Sequence, residues 1–145
     1  IASSTLFSVF SSLSFSRIKD RFTFQQIFGI GYFLMALAFA SISYGGSYGM
    51  VMIGMLLAGL GMGLMIPNAN VWVMQLAPEK IRGQEIGRLT TFWFMGQFLS
   101  PIILLPFLNL MTHSQLFSIL TFIIIALSLG FFVFGILNKK SKLKS

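Results

Sequence analysis

Two long stretches without charge constrain this chain more than any other feature. Residues 22–78 contain no Asp, Glu, Lys or Arg, and neither do residues 89–137. Between them lies PEKIRGQEIGR, residues 78–88, with five of the thirteen such side chains. A soluble domain normally has about a quarter of its residues charged, but here the charged fraction is 9% and the hydrophobic fraction 56%. The composition therefore favours the lipid bilayer as the surrounding solvent.

Each uncharged stretch is too long for one crossing and divides at a turn, YGGSYG at 44–49 and THSQ at 112–115. A helix needs about 20 apolar residues to cross the hydrocarbon layer, and a backbone in lipid must satisfy its own hydrogen bonds. Because the runs lack the alternation of a barrel strand, the predicted fold is an all-α integral membrane bundle. Helices are expected at 1–16 (partial), 23–43, 50–74, 89–111 and 116–137, followed by a basic tail at 138–145.

The positive residues predict the orientation of the bundle. They occur in three clusters, at residues 17–21, 80–88 and 139–144, whereas the turns at 44–49 and 112–115 contain no Lys or Arg. Short loops rich in Lys and Arg are retained in the cytoplasm. We therefore expect a multi-pass protein of the cell membrane, with both uncharged turns outside and the C-terminus cytoplasmic. The basic tail is expected to contact the lipid bilayer.

Several classes of function have little support in the sequence. The chain has no cysteine, which excludes disulfides and thiolate metal sites. Its one histidine, His113, lies in a turn without other metal ligands nearby, so no metal and no cofactor are expected. The net charge of +7 comes from short clusters rather than a basic face with interleaved aromatics, so no nucleic acid partner is expected. No carboxylate in a span can orient a catalytic base, and the protein is expected not to be an enzyme.

Three segments resemble the major facilitator superfamily of transporters. SRIKDR at 16–21 resembles the second copy of the family's cytoplasmic loop motif, although Phe22 and Thr23 stand where that motif has Gly and Arg. GLGMGLMIP at 59–67 resembles the glycine-rich tenth helix. PEKIRG at 78–83 with GQFLSP at 96–101 resembles the loop and start of the eleventh.

The resemblance covers essentially the whole chain. It implies a C-terminal bundle made of helix eight, in part, to helix twelve of a drug-efflux-like transporter. The opening run begins with Ile and has no basic leader. We therefore expect the N-terminal half of the same transporter to lie upstream and to be the partner of this bundle.

The resemblance also implies a gate at the cytoplasmic side. Asp20 would accept contacts near a helix N-terminus in the other half, because carboxylates favour that positive end of the helix dipole. Ion pairs within residues 78–88 would close the cytoplasmic side. The alternative is a solvated loop, where an exposed pair contributes about 0–1 kcal/mol. The gate residues are Asp20, Arg21, Glu79, Arg82, Gly83, Glu85 and Arg88.

Polar side chains inside the spans indicate a substrate pathway, because such residues tend to face the protein interior. Asn68 is preferred to Asn70 because it shares a helical stripe with Trp72 and Gln75. The next helix has a second polar and aromatic stripe. The alternative is that Asn and Gln join helices by hydrogen bonds of about 0.6–2 kcal/mol. The candidate pathway residues are Asn68, Trp72, Trp93, Gln97 and Ser100.

The predicted function is secondary transport of a small-molecule substrate by alternating access. Within the family that the chain resembles, mainly apolar spans fit proton-coupled efflux of hydrophobic compounds. A coupling proton needs a titratable carrier, and the four full spans contain no Asp, Glu, Lys or Arg, so the carrier is expected upstream. An uptake symporter or uniporter for sugars or metabolites is the first alternative. The second is a membrane interaction or scaffold protein that transports nothing.

The predicted orientation can be tested with single cysteines, because the chain has none of its own. We expect cysteines placed at Ser47 and Ser141 to react with an impermeant maleimide from opposite sides of the membrane. Labelling is measured in intact cells and in inside-out vesicles. Reaction of both positions from the same side would contradict the topology.

Overall fold

A computed structural model describes residues 19, 21–44 and 47–142, with side chains described as far as residue 137. This part of the chain consists of helices joined by short turns, and a 3-10 turn, Glu79–Ile81, precedes the third. Four helices of the described chain are long and apolar enough to cross a membrane, which confirms the predicted all-α membrane fold. The partial helix predicted at 1–16 lies outside the described residues. The helices are α1 (Phe24–Tyr44), α2 (Tyr48–Leu76), α3 (Arg82–Leu108) and α4 (His113–Lys142).

Two helices extend beyond the spans that hydropathy predicts. α3 begins at Arg82, seven residues before the predicted span at 89–111, and α4 continues to Lys142, into the predicted tail. Gln, Glu, Arg and Lys are good helix formers, so a helix continues past its apolar run into water. Hydropathy therefore marks the part of each helix that crosses lipid, and not where the helix ends.

Local hydrogen bonds explain where three of the helices begin. Before α1, the backbone N–H of Thr23 donates to Gln26 Oε1 at 3.0 Å, and the Gln26 N–H donates to Thr23 Oγ1 at 3.4 Å. Thr112 and Gln115 make the same reciprocal pair at α4, at 2.9 and 3.4 Å. Both are capping boxes, which satisfy N–H groups that a helix start leaves without partners. At α2 the Ser47 hydroxyl accepts from the Met50 N–H.

The bundle is built around α1, which packs along both α2 and α4. Gly61 of α2 lies beside Gly31, and Gly135 of α4 lies beside Gln25 and Gln26, so both neighbours run antiparallel to α1. This arrangement puts the start of α1 and the ends of α2 and α4 at one end of the bundle. The described basic residues Lys19 and Arg21 and those of residues 80–88 therefore lie at the same end.

The seam between α1 and α2 is formed by small residues that let the two backbones approach closely. A Cβ added to Gly54 would lie 2.9 Å from the Ala38 carbonyl oxygen, and one added to Gly61 would lie 3.0 Å from that of Gly31. Fully buried Ile27 belongs to the same side of α1. Helices in lipid associate through this kind of close packing, because the hydrophobic effect gives no drive between them.

Hydroxyl groups hold the seam between α1 and α4. The buried Ser128 hydroxyl donates to the Gly29 carbonyl at 2.8 Å. Near the other end, Ser43 donates to the Ser114 carbonyl at 2.7 Å, and its oxygen lies 2.7 Å from that of Ser118. Each such hydrogen bond between membrane helices contributes about 0.6–2 kcal/mol to their association. These bonds therefore stabilise the α1–α4 contact at two levels.

α3 contrasts with the other helices because none of its residues is buried. It contacts α2 near their connection and touches α4 only slightly. Gly83, Gly87 and Gly96 have no atom within 4 Å of an added Cβ, apart from the helix's own neighbouring backbone. Within the described chain, α3 therefore leaves nearly its whole surface uncovered.

The glycine seam predicts unequal effects of the same substitution. Gly54→Ala forces a methyl group against the Ala38 carbonyl and should lower the free energy of unfolding by about 1–3 kcal/mol. Gly87→Ala is the matched control, since space is open there and Ala is the better helix former. Thermal loss of helix, followed by circular dichroism in detergent, compares them. Equal melting temperatures would show that the close approach contributes nothing.

Candidate functional site

Five aromatic side chains form a continuous group of contacting rings, here called the aromatic ladder. Phe24, Phe28 and Tyr32 follow one another at four-residue intervals along α1. Residues four apart on a helix lie on the same face, so the three rings stand one above another. Trp72 of α2 and Phe131 of α4 contact them from the two sides. The ladder thus joins the three packed helices.

The ring geometry is that of favourable aromatic pairs. Phe24 and Trp72 are stacked, with centroids 5.8 Å apart and planes 2° from parallel. Phe28 lies 5.8 Å from Trp72 and 5.6 Å from Phe131, and Tyr32 lies 5.5 Å from Phe131. Pairs at these distances contribute about 0.5–1.5 kcal/mol beyond the area they bury. All five residues are only half-buried, so the ladder also presents an accessible aromatic surface.

Polar groups lie at two places on the ladder. The Lys19 ammonium sits 5.0 Å from the centre of the Phe24 ring, a cation–π contact at the end of the ladder. Tyr32 places a hydroxyl near the other end. A surface with these groups can hold a planar apolar molecule by stacking and a cation through the electron-rich ring faces.

Asn68 lies directly beside the ladder and is completely buried. Its amide nitrogen donates to the Phe24 carbonyl oxygen at 2.9 Å, which ties α2 to the start of α1. The amide oxygen is buried with no hydrogen-bond partner among the described residues. Reversing the amide would set two oxygens against each other, so this orientation follows from the contact. Asn70, by contrast, is only half-buried.

The structure brings Asn68 and Trp72 together but keeps the predicted α3 residues apart from them. Trp93 is half-buried, whereas Gln97 and Ser100 are exposed. No contact within the described chain joins these three residues to the aromatic ladder. The reason is the position of α3, which contacts the other helices little and has no buried residue.

Residues 78–88, called the charged hinge below, form the two ion pairs that the sequence suggests. Arg82 lies 3.4 Å from Glu79 and Arg88 lies 2.7 Å from Glu85, each pair three residues apart. The Arg82 Nε also donates to the Ala77 carbonyl at 3.3 Å, which joins the hinge to the end of α2. Both pairs are solvent-accessible, and such pairs contribute about 0–1 kcal/mol.

The remaining gate residues take little part in these contacts. Gly83 has open space around it, and Arg21 is exposed at the turn before α1. Asp20 lies outside the described residues. The gating role of the whole set therefore stays a prediction.

Of the five ladder residues, only Trp72 is among the pathway residues that the sequence predicts; the other four are Phe24, Phe28, Tyr32 and Phe131. The four-residue spacing of Phe24, Phe28 and Tyr32 is a visible signal that could have identified a shared face. For Phe131 no local signal exists, because its contact with α1 depends on how α4 is rotated.

A family model described as Major Facilitator Superfamily matches residues 1–145. The chain belongs to the major facilitator superfamily, a family of secondary transporters, and with four helices able to cross a membrane it is a multi-pass membrane protein. No curated protein and no solved structure matches it. The family resemblance is thereby confirmed, whereas the efflux subtype and the numbering of the helices stay predictions.

The buried amide gives a test of the contact between α1 and α2. Asn68→Ala removes the bond to the Phe24 carbonyl and should lower the free energy of unfolding by about 0.6–2 kcal/mol. Asn70→Ala, two residues away and half-buried, should change it less. Unfolding in detergent with increasing dodecyl sulfate measures both. Similar losses for the two variants would argue against a specific role of Asn68 in helix packing.

Proposed function

We propose that this protein exports hydrophobic small molecules by alternating access, in exchange for protons. The observation that carries the proposal is the aromatic ladder, a half-buried surface of five contacting rings contributed by three packed helices. Residues 22–78 and 89–137 contain no Asp, Glu, Lys or Arg. An apolar substrate that binds these spans therefore does not have to desolvate a charged side chain. Family membership supports transport in general.

In this proposal, Trp72 and Asn68 are substrate contacts at the ladder. Trp72 stacks on Phe24 and touches Phe28, so a flat cargo can extend the same stack. The Asn68 amide nitrogen donates to the Phe24 carbonyl oxygen, whereas the amide oxygen has no hydrogen-bond partner in the described chain. A small shift between α1 and α2 would expose its oxygen to a donor on the cargo. Buried polar groups that gain a partner only when ligand is present favour the bound state.

α3 supplies the other proposed contacts, Trp93, Gln97 and Ser100. Its surface is uncovered, and Pro101 and Pro106 interrupt its helical hydrogen bonds. Prolines inside a helix mark places where it bends. Bending at this level would move the end of α3 relative to the packed bundle, as alternating access requires.

The charged hinge and the segment before α1 are proposed as the cytoplasmic gate. Accessible ion pairs cost little to break, so Glu79–Arg82 and Glu85–Arg88 can exchange partners as the protein changes state. Asp20 and Arg21 would act with the N-terminal half of the transporter. The C-terminus then lies in the cytoplasm and the protein in the cell membrane.

Transport can be measured in inside-out vesicles from cells that produce the full-length gene product, with ethidium as a planar hydrophobic probe. Acidifying the vesicle interior should drive ethidium into the vesicles, seen as a fluorescence change that nigericin abolishes. Control vesicles lack the protein. Ethidium accumulation that is the same with and without the pH gradient would reject proton coupling. Absence of ethidium transport together with uptake of a labelled sugar would reject export of hydrophobic compounds in favour of the metabolite carrier.

Gln97 of α3 and Asn109, which follows the end of that helix, serve as a matched pair of amide side chains in the same assay. Gln97→Ala should alter the initial rate or the apparent KM for ethidium by several-fold, because Gln97 lies on the proposed pathway. Asn109→Ala, just past the end of α3, should leave both unchanged. Equal small effects would remove Gln97 from the pathway.

A further inference from the structure

The charged hinge borders a cavity that the transport proposal does not use. The cavity has a volume of about 360 Å³ and lies where α2 ends and α3 begins. All but one of its lining residues are apolar. They are Val73, Leu76, Ala77, Pro78, Ile81 and Glu85.

The charged hinge beside this cavity has unequal numbers of positive and negative side chains. The hinge has three basic and two acidic side chains, and each glutamate is already paired with an arginine. Arg82 is engaged by Glu79 and by the Ala77 carbonyl. Lys80 makes no ion pair or hydrogen bond with a described residue. Arg88, bound through one nitrogen to Glu85, keeps further N–H groups and is 60% exposed. Two donors thus remain close in sequence to the cavity: Lys80, whose charge is uncompensated in the described chain, precedes lining residue Ile81, and Arg88, with spare N–H groups, lies three residues after lining residue Glu85.

The floor of the cavity continues onto apolar surface. Leu76 is 73% exposed and Ile81 is 39% exposed, so both present apolar surface beside the cavity. One turn or two beyond Glu85, Leu89 and Phe92 extend this surface along the uncovered α3. The apolar track therefore runs from the charged hinge toward the membrane interior.

The order of these features matches one kind of molecule. The hinge contributes positive donors, an apolar cavity adjoins it, and an apolar helix surface continues along α3. We propose that the cavity between α2 and α3 binds an anionic phospholipid. Lys80 and Arg88 hold its phosphate, and its acyl chains lie over Leu76 and Ile81 and along α3. This assignment does not depend on what the protein transports.

Glu85 bears on which headgroups the site accepts. Its carboxylate lines the cavity, but Arg88 at 2.7 Å neutralises it, and the hinge as a whole stays positive. A phosphate with a net negative headgroup is therefore favoured over a zwitterionic one. Each Lys or Arg near an anionic surface contributes an attraction that corresponds to about a fivefold change in affinity.

The two tryptophans of the chain are suitable reporters of lipid binding. Trp72 lies one turn before Leu76, and Trp93 lies about two turns after Glu85. The purified 145-residue chain in neutral detergent is titrated with phosphatidylglycerol brominated on its upper acyl chain. Bromine quenches indole fluorescence only at short range. We expect saturable quenching at low mole fraction, and weaker quenching by brominated phosphatidylcholine.

Substitutions that each remove one positive charge test which side chains bind the phosphate. Lys80→Gln and Arg88→Gln should each weaken the phosphatidylglycerol titration about fivefold. Lys140→Gln removes the same charge from the basic tail and should change it less than twofold. Leu76→Gln, at an exposed position, should also weaken binding by removing part of the floor. If Arg88→Gln lowers the helix content measured by circular dichroism, the test rests on Lys80→Gln, because Lys80 makes no ion pair or hydrogen bond with a described residue.

Three results would overturn the assignment. Equal losses for Lys80→Gln and Lys140→Gln would show a general attraction of positive charge for the lipid. Equal quenching by the two brominated lipids would show an ordinary lipid shell without headgroup selection. Displacement of the brominated lipid by millimolar inorganic phosphate would show an anion site that needs no acyl chain.

Discussion

Close approach between backbones along α1 is the constraint on which the rest of the bundle depends. Without water to drive helices together, association in lipid relies on contact and hydrogen bonding between the helices themselves. Small residues on two sides of α1 make this possible, with Gly31 facing α2 and Gly29 facing α4. The Ser128 hydroxyl can reach the Gly29 carbonyl only because no side chain stands between the helices. The glycines therefore set the distances at which every other contact is made.

The aromatic ladder is a consequence of this packing. α2 and α4 occupy two sides of α1, and the face between them carries Phe24, Phe28 and Tyr32. Trp72 and Phe131 reach those rings because the seams hold their helices near. Rings on three helices then form one accessible surface. In the proposed export mechanism this surface contacts cargo, while the weakly packed α3 supplies the part that moves.

In the proposed mechanism, the charged hinge has two roles that need the same location. Its charges keep the connection between α2 and α3 in water, and its two ion pairs are exposed enough to exchange partners. Helix α3 starts at Arg82, within the hinge, so its first two turns carry the charged side chains of Glu85 and Arg88. The cavity at this level is lined by apolar residues and the paired Glu85, and the hinge beside it has a net positive charge, as the proposed phospholipid would require.

Sequence alone determined the environment of this protein, the four described spans and the positions of its basic segments. Those properties depend on the composition of short runs and on the cost of charge in lipid, so they can be read locally. Helix starts at Thr23 and Thr112 are also local, since each capping box lies within four residues. Only the tertiary structure decided that Asn68 bonds to Phe24, 44 residues away, and that Phe131 joins the ladder. Such contacts depend on how packed helices are rotated about their axes, and uniformly apolar helices carry too little asymmetry for sequence to specify that rotation.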